Sequence, residues 1–355
     1  MLNFSKTLQK SADFLSLTLA HEWAIPSFEF NIQSNSGVNI HVTVLDTGII
    51  LFEPDVNNTT YVGEDKLKHI VLSCGIHGNE TAPIEICASL IKQLLLGQIA
   101  LAHRVLFIIG NPAAINQNKR FVEENLNSLF VNTTKQKQAA VNFERKRAAL
   151  LESAVQAFYQ QSTNAEHRYH YDLHTAIRAS KHEKFAIYPF LHGQPWQQEQ
   201  LNFLKLAGVN TVLFANAPTT TFSYFSSRQC NAKSFTIELG KAKPFGENNM
   251  ADFEAMKKAL MALLTNKTLA LSPFDQADFN LYEIHQRIDK QSANFVFNFP
   301  ETMANFTCFN PGELIAKDGD LSYYAQHKGE AILFPNANVP IGQRALLTVK
   351  PYVFC

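Results

Sequence analysis

Residues 69–86 read HIVLSCGIHGNETAPIEI, and within this stretch the sequence changes from a strand pattern to a helix pattern. The first six residues form a short, mostly apolar run, which is typical of a strand covered on both faces. Apolar residues then recur at helical spacing, with Gly97 after the end of the segment: Pro83, Ile86, Cys87, Leu90, Ile91 and Leu94. A second apolar run, RVLFIIG, follows at residues 104–110. Strand, helix and strand in this order predict a βαβ unit and therefore a parallel sheet.

The flanking sequence adds further strand and helix patterns. Residues 28–52 contain two runs that alternate apolar and polar residues, FEFNIQ and VNIHVTVLD, joined by a polar cluster that ends in glycine. This arrangement predicts a hairpin of half-buried strands. Two more runs are strand-like, YHYDLHT at 169–175 and SFTIELG at 234–240, and two segments are typical of amphipathic helices, 139–160 and 251–264.

The C-terminal part of the chain has a different pattern. From about Leu271 the helical spacing fades, and short β-like stretches are separated by proline, glycine and asparagine. A chain of 355 residues is also long enough for two domains. We therefore expect an α/β domain over residues 1–268 and a smaller β-rich domain over residues 269–355.

Charge and composition exclude several classes of protein. The chain has 31 basic and 31 acidic residues, so it lacks the overall positive charge expected of a protein that binds nucleic acid or an anionic membrane surface. Its five cysteines are widely spread and never form a Cys-x-x-Cys pair, which favours a reducing compartment. Because there is no apolar stretch of about 18 residues and no signal-peptide pattern at the N-terminus, we expect a cytoplasmic protein.

Four polar residues stand at the carboxyl ends of predicted strands, which is the edge where open α/β sheets build ligand sites. They are His77, Glu80, His174 and Glu238. Two histidines and one carboxylate can hold zinc with one position left open, as in catalytic zinc sites. A separate carboxylate, Glu238, is then available as a general base. The pattern therefore predicts a catalytic zinc site.

Each of these residues also has a simpler interpretation. A His-x-x-Glu pair is most often a polar helix start, His174 alone is more often a core histidine, and Glu238 could mark a strand end. Asp172 lies two residues before His174, so both side chains face the same side of a strand. Asp172 is therefore either an ordinary strand-end residue or the group that orients a ligand histidine through a hydrogen bond.

Four blocks of the sequence, in order, resemble the succinylglutamate desuccinylase and aspartoacylase family: GIHGNETAPIEI, GNPAAINQNKRFVEENLN, DLHTAIRASKHEKFAIYPF and ELGKAKPFGENN. The resemblance runs from about residue 70 to residue 249. It implies a zinc carboxypeptidase-like fold, in which a mixed sheet is flanked by helices and a β-rich C-terminal domain is added. It also implies one Zn²⁺ per chain, held by His77, Glu80 and His174, with Glu238 as general base. The implied reaction is hydrolysis of N-succinyl-L-glutamate to succinate and glutamate, the last step of arginine breakdown through succinylated intermediates.

A small anionic substrate of this kind would carry three carboxylates, which guanidinium groups bind through paired hydrogen bonds. The candidate substrate-binding residues near the predicted metal site are Arg120, Arg178 and Asn127. Either arginine could instead be a surface charge.

One position departs from the family pattern. The family usually has arginine after the asparagine that corresponds to Asn127, whereas this chain has Ser128. A serine cannot replace a guanidinium, so we expect weaker binding, slower turnover, or another cation such as Arg178 or Lys241 in its place. The alternatives are therefore a related deacylase of the aspartoacylase type, a small-peptide carboxypeptidase, or a metal-binding or ligand-binding protein with reduced turnover. The oligomeric state is not predicted.

Overall fold

A computed structural model describes residues 3–55, 66–131, 141–265, 271 and 273–352 of the chain. The helices are α1 Phe4–Ser11, α2 Phe14–Ala20, α3 Thr81–Leu95, α4 Pro112–Asn116, α5 Phe143–Gln160, α6 Gln198–Leu206, α7 Phe222–Cys230 and α8 Glu254–Leu264. Short 3-10 helices are formed by Leu126–Ser128, Ala165–His167, Met250–Phe253 and Gln276–Asp278. Among these described residues, no helix is long and apolar enough to cross a bilayer.

The strands build one large and one small sheet. Their bounds are β1 Phe28–Gln33, β2 Asn39–Asp46, β3 Ile49–Pro54, β4 His69–Cys74, β5 Arg104–Ile109, β6 Arg168–Ala176, β7 Phe185–Tyr188, β8 Thr211–Phe214, β9 Lys233–Lys241, β10 Asn280–Asp289, β11 Phe295–Phe297, β12 Leu314–Asp318, β13 Leu321–Tyr324, β14 Ala331–Leu333 and β15 Arg344–Pro351. Twelve strands form the large sheet in the order β1-β2-β3-β5-β4-β6-β9-β7-β8-β10-β15-β14, and β11, β12 and β13 form the small one.

The centre of the large sheet confirms the predicted α/β fold. Strand β4 is parallel to both β5 and β6, and β6 is parallel to β9. Helix α3 connects β4 to β5, and every apolar position predicted for its inner face is buried. The sheet is mixed because the N-terminal hairpin of β1 and β2 and the strand β3 add antiparallel pairs at one side.

Apolar cores lie on both faces of this sheet. Ile70 and Leu72 of β4 belong to the buried cluster that contains the inner face of α3. Val71, between them, belongs to the opposite cluster, which contains the buried residues of α5 and α7. Because helices cover both faces, β4 has no residue facing solvent, and this explains its continuous apolar run.

The predicted helices differ from the observed ones mainly at their ends. The segment predicted at 139–160 begins its helix at Phe143, since the Asn142 side chain accepts a hydrogen bond from the Arg145 amide and caps α5. Residues 139 and 140 lie outside the described residues. The segment predicted at 251–264 consists of a 3-10 turn followed by α8.

The C-terminal unit, residues 273–352, has the predicted β structure but shares the large sheet. Strand β10, which the sequence patterns did not indicate, pairs in parallel with β8 and antiparallel with β15. The predicted boundary between residues 268 and 269 lies outside the described residues, and the division into two domains stays a prediction. Backbone pairing through β10 joins the C-terminal unit directly to the strands that precede it.

Candidate metal centre and active site

The carboxyl ends of β4 and β6 bring three predicted ligands together. The two strands are adjacent and parallel, with Ser73 opposite Asp172 in the register, so the loop after β4 meets the end of β6. The nitrogen and carboxylate atoms that His77, Glu80 and His174 offer all lie within 4.8 Å of one another, and all three residues are buried. We call these three residues the metal group.

The loop that carries His77 is tightly packed. A Cβ atom at Gly78 would lie 2.2 Å from the backbone carbon of Ala114, so only glycine allows this close approach. Gly75 has a φ of +64°, which is a conformation that residues with a side chain rarely adopt. The glycines of this motif therefore place His77 and Glu80 against the end of β6.

Glu80 lies between the two imidazoles. Its Oε1 is 2.8 Å from His77 Nδ1, and its Oε2 is 2.9 Å from His174 Nδ1. It occupies the N-cap position of α3, but its side chain makes no capping hydrogen bond. Burial alone would raise the pKa of Glu80, yet the two histidines outweigh that effect and hold the pKa well below its usual range. The Glu80 carboxylate therefore contacts the two histidines and does not cap helix α3.

The outer nitrogen of each histidine has its own acceptor. His174 Nε2 lies 2.9 Å from Asp172 Oδ2, so of the two interpretations left open for Asp172 the structure has the one with a hydrogen bond to His174. His77 Nε2 lies 2.9 Å from Asn125 Oδ1, and that oxygen also accepts from the Asn127 amide. When each Nε2–H donates a hydrogen bond to its oxygen, the Nδ1 lone pair on the Glu80 side of the ring is available to bind a cation. Two oriented imidazoles and one buried carboxylate are a donor set that fits zinc.

Asp172 continues into a buried chain of hydrogen bonds beneath the metal group. Ser73 Oγ donates to Asp172 Oδ1 at 2.5 Å and lies 2.8 Å from His170 Nε2. His170 Nδ1 is in turn 2.7 Å from Ser226 Oγ on α7. Because all of these side chains are buried, the network fixes the position of Asp172 and, through it, the ring of His174.

Glu238 lies beside the metal group on the neighbouring strand. It is directly opposite His174 in the register of β6 and β9, and it is 8% exposed. Its Oε2 atom has no hydrogen-bond partner among the described residues. Burial, together with the charge of Glu80, raises the pKa of Glu238 to about 7. A carboxyl group with this pKa can accept and release a proton near neutral pH.

Of the predicted substrate-binding residues, Arg120 is closest to the metal group. One of its terminal nitrogens donates to Glu80 Oε1 at 2.8 Å, and its side chain is 37% exposed. Asn127 lies in the next turn of the same loop, where its Oδ1 accepts from the Phe222 amide at the start of α7. Arg120 therefore lies next to the metal group. The side-chain oxygen of Asn127 is bonded to the first residue of α7.

Arg178 and Ser128 have different surroundings. Arg178 donates to the carbonyl oxygens of Glu301, Met303 and Pro335, so its guanidinium joins the end of β6 to the C-terminal unit. The Ser128 hydroxyl donates to the Asn125 carbonyl at 2.7 Å. Lys241, the other cation considered for the role of the missing arginine, is exposed at the end of β9.

A buried carboxylate that sequence reasoning missed holds the loop between Arg120 and Asn125. Glu144 of α5 is fully buried and accepts hydrogen bonds from the backbone amides of residues 122, 123 and 124, at 2.6, 3.2 and 3.3 Å. Three amides aimed at one carboxylate form an anion-binding nest. The only sequence signal is an acidic residue in the first turn of a helix, which is common in any helix.

Two family models match most of the chain. Residues 66–264 match the family model described as the succinylglutamate desuccinylase/aspartoacylase catalytic domain. Residues 277–352 match the model of the AstE/AspA barrel-sandwich hybrid domain.

The chain belongs to the succinylglutamate desuccinylase/aspartoacylase family.

Members of this family match the chain over nearly its whole length. The succinylglutamate desuccinylase of Shewanella piezotolerans is 49% identical over 97% of this chain and 96% of its own. That of Idiomarina loihiensis is 48% identical over 95% of each chain. These names denote hydrolases, so the resemblance predicted from the four sequence blocks is confirmed.

Solved structures of family members have the same architecture. The succinylglutamate desuccinylase of Vibrio parahaemolyticus has a TM-score of 0.83 at 34% identity, covering 95% of this chain and 94% of its own. That of Chromobacterium violaceum has a TM-score of 0.80 at 34% identity, covering 97% and 99%. Murine aminoacylase 3, at 18% identity and a TM-score of 0.55 over 81% of this chain and 96% of its own, shares the fold.

Proposed function

We propose that this chain is a zinc-dependent amidohydrolase that cleaves N-succinyl-L-glutamate into succinate and L-glutamate. One observation carries the proposal: a buried glutamate, Glu238, lies beside a buried group of two histidines and one carboxylate. Its Oε2 atom has no hydrogen-bond partner among the described residues. The names of the relatives at 48–49% identity support the choice of substrate. The cytoplasmic location and the role in arginine breakdown are part of the same proposal.

The residues that would hold one Zn²⁺ are His77, Glu80 and His174. When bound, zinc supplies Lewis acidity at the amide carbonyl and lowers the pKa of water towards about 7. Asp172 and Asn125 keep the two imidazoles oriented for this task, because each accepts a hydrogen bond from the outer nitrogen of one ring.

Glu238 performs the proton transfers in this proposal. Its carboxylate takes a proton from the water that attacks the amide carbon, and it then gives that proton to the departing amine nitrogen. Burial suits this role, since it raises the pKa of Glu238 to about 7 and so makes both steps accessible near neutral pH. The unpaired Oε2 leaves one oxygen open to receive the proton.

The anionic substrate would be held by cations near the metal group. Arg120 is the predicted residue best placed for this, because its guanidinium already contacts Glu80 and is partly exposed. Substrate binding by Asn127 and by Arg178 stays a prediction. Asn127 would donate through its side-chain nitrogen, because its oxygen accepts from the Phe222 amide. Arg178 could contribute only through donors that its three carbonyl partners leave open.

A substrate panel with controlled metal content tests the proposal. The purified protein is stripped with a chelator, reloaded with one equivalent of Zn²⁺ and assayed for release of the acyl acid from N-succinylglutamate, N-acetylaspartate and a small peptide. We expect one zinc per chain and the highest kcat/KM with N-succinylglutamate. Preference for N-acetylaspartate or a peptide would assign one of the related reactions instead, and zinc binding without turnover would indicate a binding protein.

A further inference from the structure

Arg344 is the first residue of β15, and its guanidinium lies over an aromatic ring. Among the described residues, none forms a hydrogen bond or an ion pair with its side chain, which is half-buried with its guanidinium carbon 5.6 Å from the centre of the Phe334 ring. Asp289 lies opposite Arg344 in the β10–β15 register and its charge acts on Arg344, but its Oδ1 atom is bonded to Arg287 Nε at 2.8 Å and it forms no ion pair with Arg344. A partly buried cation without a partner is costly, and a ligand anion would remove that cost.

Two sets of contacts place the Arg344 end of the C-terminal unit beside the active site. The Phe334 ring, over which Arg344 lies, packs against Phe185 with ring centres 5.8 Å apart. Phe185 is directly opposite Glu238 in the β7–β9 register. Independently, Arg178, four residues after His174, donates to the carbonyl of Pro335, the residue after Phe334.

The charges around Arg344 favour an anion in the same place. Its pKa is lowered to about 10 by burial and then by the nearby positive charges of Arg287 and Arg120, which the charge of Asp289 only partly offsets, so Arg344 stays protonated at neutral pH. Arg120 is the cation that contacts Glu80. Two arginines from different parts of the fold therefore repel each other across this region, and a carboxylate between them would be attracted by both.

We propose that Arg344 of the C-terminal unit is a substrate-binding residue whose guanidinium binds a carboxylate of the substrate. This inference rests on the proposed function, since it takes N-succinylglutamate with its three carboxylates as the ligand. Arg344 would also provide a guanidinium that position 128, occupied by serine, does not provide. The C-terminal unit would thereby determine which acyl amino acids bind.

The kinetic test compares Arg344→Gln and Arg344→Lys with Lys350→Gln. Lys350 is a matched control because it is a cation at the other end of the same strand, paired with Glu283 at 3.1 Å. We expect Arg344→Gln to lower kcat/KM for N-succinylglutamate by about 10–100-fold, mainly through KM, as for loss of a hydrogen bond to a charged group. Arg344→Lys should retain part of the affinity, and Lys350→Gln should stay within about twofold of wild type.

An analogue series separates binding from a general structural effect. One analogue of N-succinylglutamate is made for each carboxylate, with that carboxylate replaced by a neutral amide. If Arg344 binds one carboxylate, Arg344→Gln should cost little with the analogue that lacks it and the full amount with the other two. An equal loss with all three analogues, or a change in kcat/KM below about twofold with the natural substrate and an unchanged unfolding temperature, would overturn the inference.

Equilibrium binding distinguishes this inference from the proposed function. Calorimetry with N-succinylglutamate is carried out on Glu238→Gln and on Glu238→Gln/Arg344→Gln, neither of which needs to turn the substrate over. Weaker binding of at least about tenfold in the double variant supports the carboxylate site even if the wild-type protein shows no hydrolysis. Equal binding in both variants overturns the Arg344 assignment even if hydrolysis by the wild type is rapid.

Discussion

The metal side and the substrate side of the candidate site are built differently. On the metal side, the ligands come from neighbouring strand ends, and each histidine nitrogen has an oxygen partner within 3 Å. On the proposed substrate side, the cations come from a loop and from the C-terminal unit, and Arg344 forms no ion pair with the described residues although Asp289 lies opposite it in the register. Under the proposed function, such a site is preorganised for its metal, and its positive charges are balanced only when an anionic substrate binds.

The largest expected effect is a loss of kcat when Glu238 is replaced, and it tests whether Glu238 transfers protons without binding the metal. Glu238→Gln should lower kcat by about 10²–10⁴-fold, because an amide cannot accept the proton, while zinc content stays at one per chain. Steady-state kinetics and metal analysis on the same samples measure both quantities. Glu254→Gln, an exposed carboxylate on α8, is the control. Loss of zinc in Glu238→Gln would show that Glu238 belongs to the metal group instead.

The next prediction concerns the buried network beneath the metal group. Burial lowers the pKa of His170 to about 4, an effect that the charge of Asp172 only partly offsets. The unfolded chain has a histidine pKa near 6.5, so it binds more protons than the folded protein between about pH 6.5 and pH 4. The free energy of unfolding should therefore be fully retained above about pH 6.5 and fall as the pH drops through this range.

Urea unfolding of the metal-free protein at pH 7 and pH 4.5 measures this contribution. Between these two pH values, wild type should lose about 2–3 kcal/mol more than His170→Asn, because the variant lacks the titrating group. His69, whose pKa burial also lowers to about 4, should leave a residual pH dependence in the variant. His327→Asn, at an exposed position, should behave as wild type. Equal losses in wild type and His170→Asn would contradict a buried neutral His170.

The smallest expected effect comes from replacing Glu144, and it tests whether this residue holds the loop that carries Arg120. Glu144→Gln removes the charge that the amides of residues 122–124 bind, so the loop with Arg120 and Asn125 should loosen. We expect kcat/KM to fall roughly tenfold and zinc affinity to weaken by a similar factor, since Asn125 orients His77. Glu152→Gln is the matched control, because Glu152 lies on the same helix and accepts from the Val131 amide. Similar effects of the two substitutions would show that the nest has only a structural role.

The spacing of apolar residues predicted the strands and helices whose burial pattern is set by residues close together in the chain. The run at β4, the periodic face of α3 and the run at β5 all matched the structure, because each is decided by burial of residues close together in sequence. The same rule placed His77, Glu80, His174 and Glu238 at one edge, since parallel strands end together. The spacing of Asp172 and His174 on one strand allowed their hydrogen bond but did not decide it.

Residues that act across long sequence separations were not predictable in this way. Strand β10 alternates poorly between buried and exposed residues, because most of its side chains are only partly buried on either face of the sheet. Glu144 reaches a loop about 20 residues earlier in the chain, and Asn125 reaches His77 across 48 residues. The spacing of residues within a single strand or helix does not predict contacts over such distances in sequence.

The α/β core, the family and the candidate metal group could all be recognised in the amino-acid sequence, because strand and helix periodicity and the glycine-rich loop are local properties. The positions of the arginines, by contrast, depend on tertiary packing. It showed that Arg178 is bonded to the C-terminal unit, and that Arg344, 170 positions after His174, lies over a ring that packs beside the active-site strands. The physical reason is that the partners of a charged side chain depend on how distant segments pack, which the order of neighbouring residues does not encode.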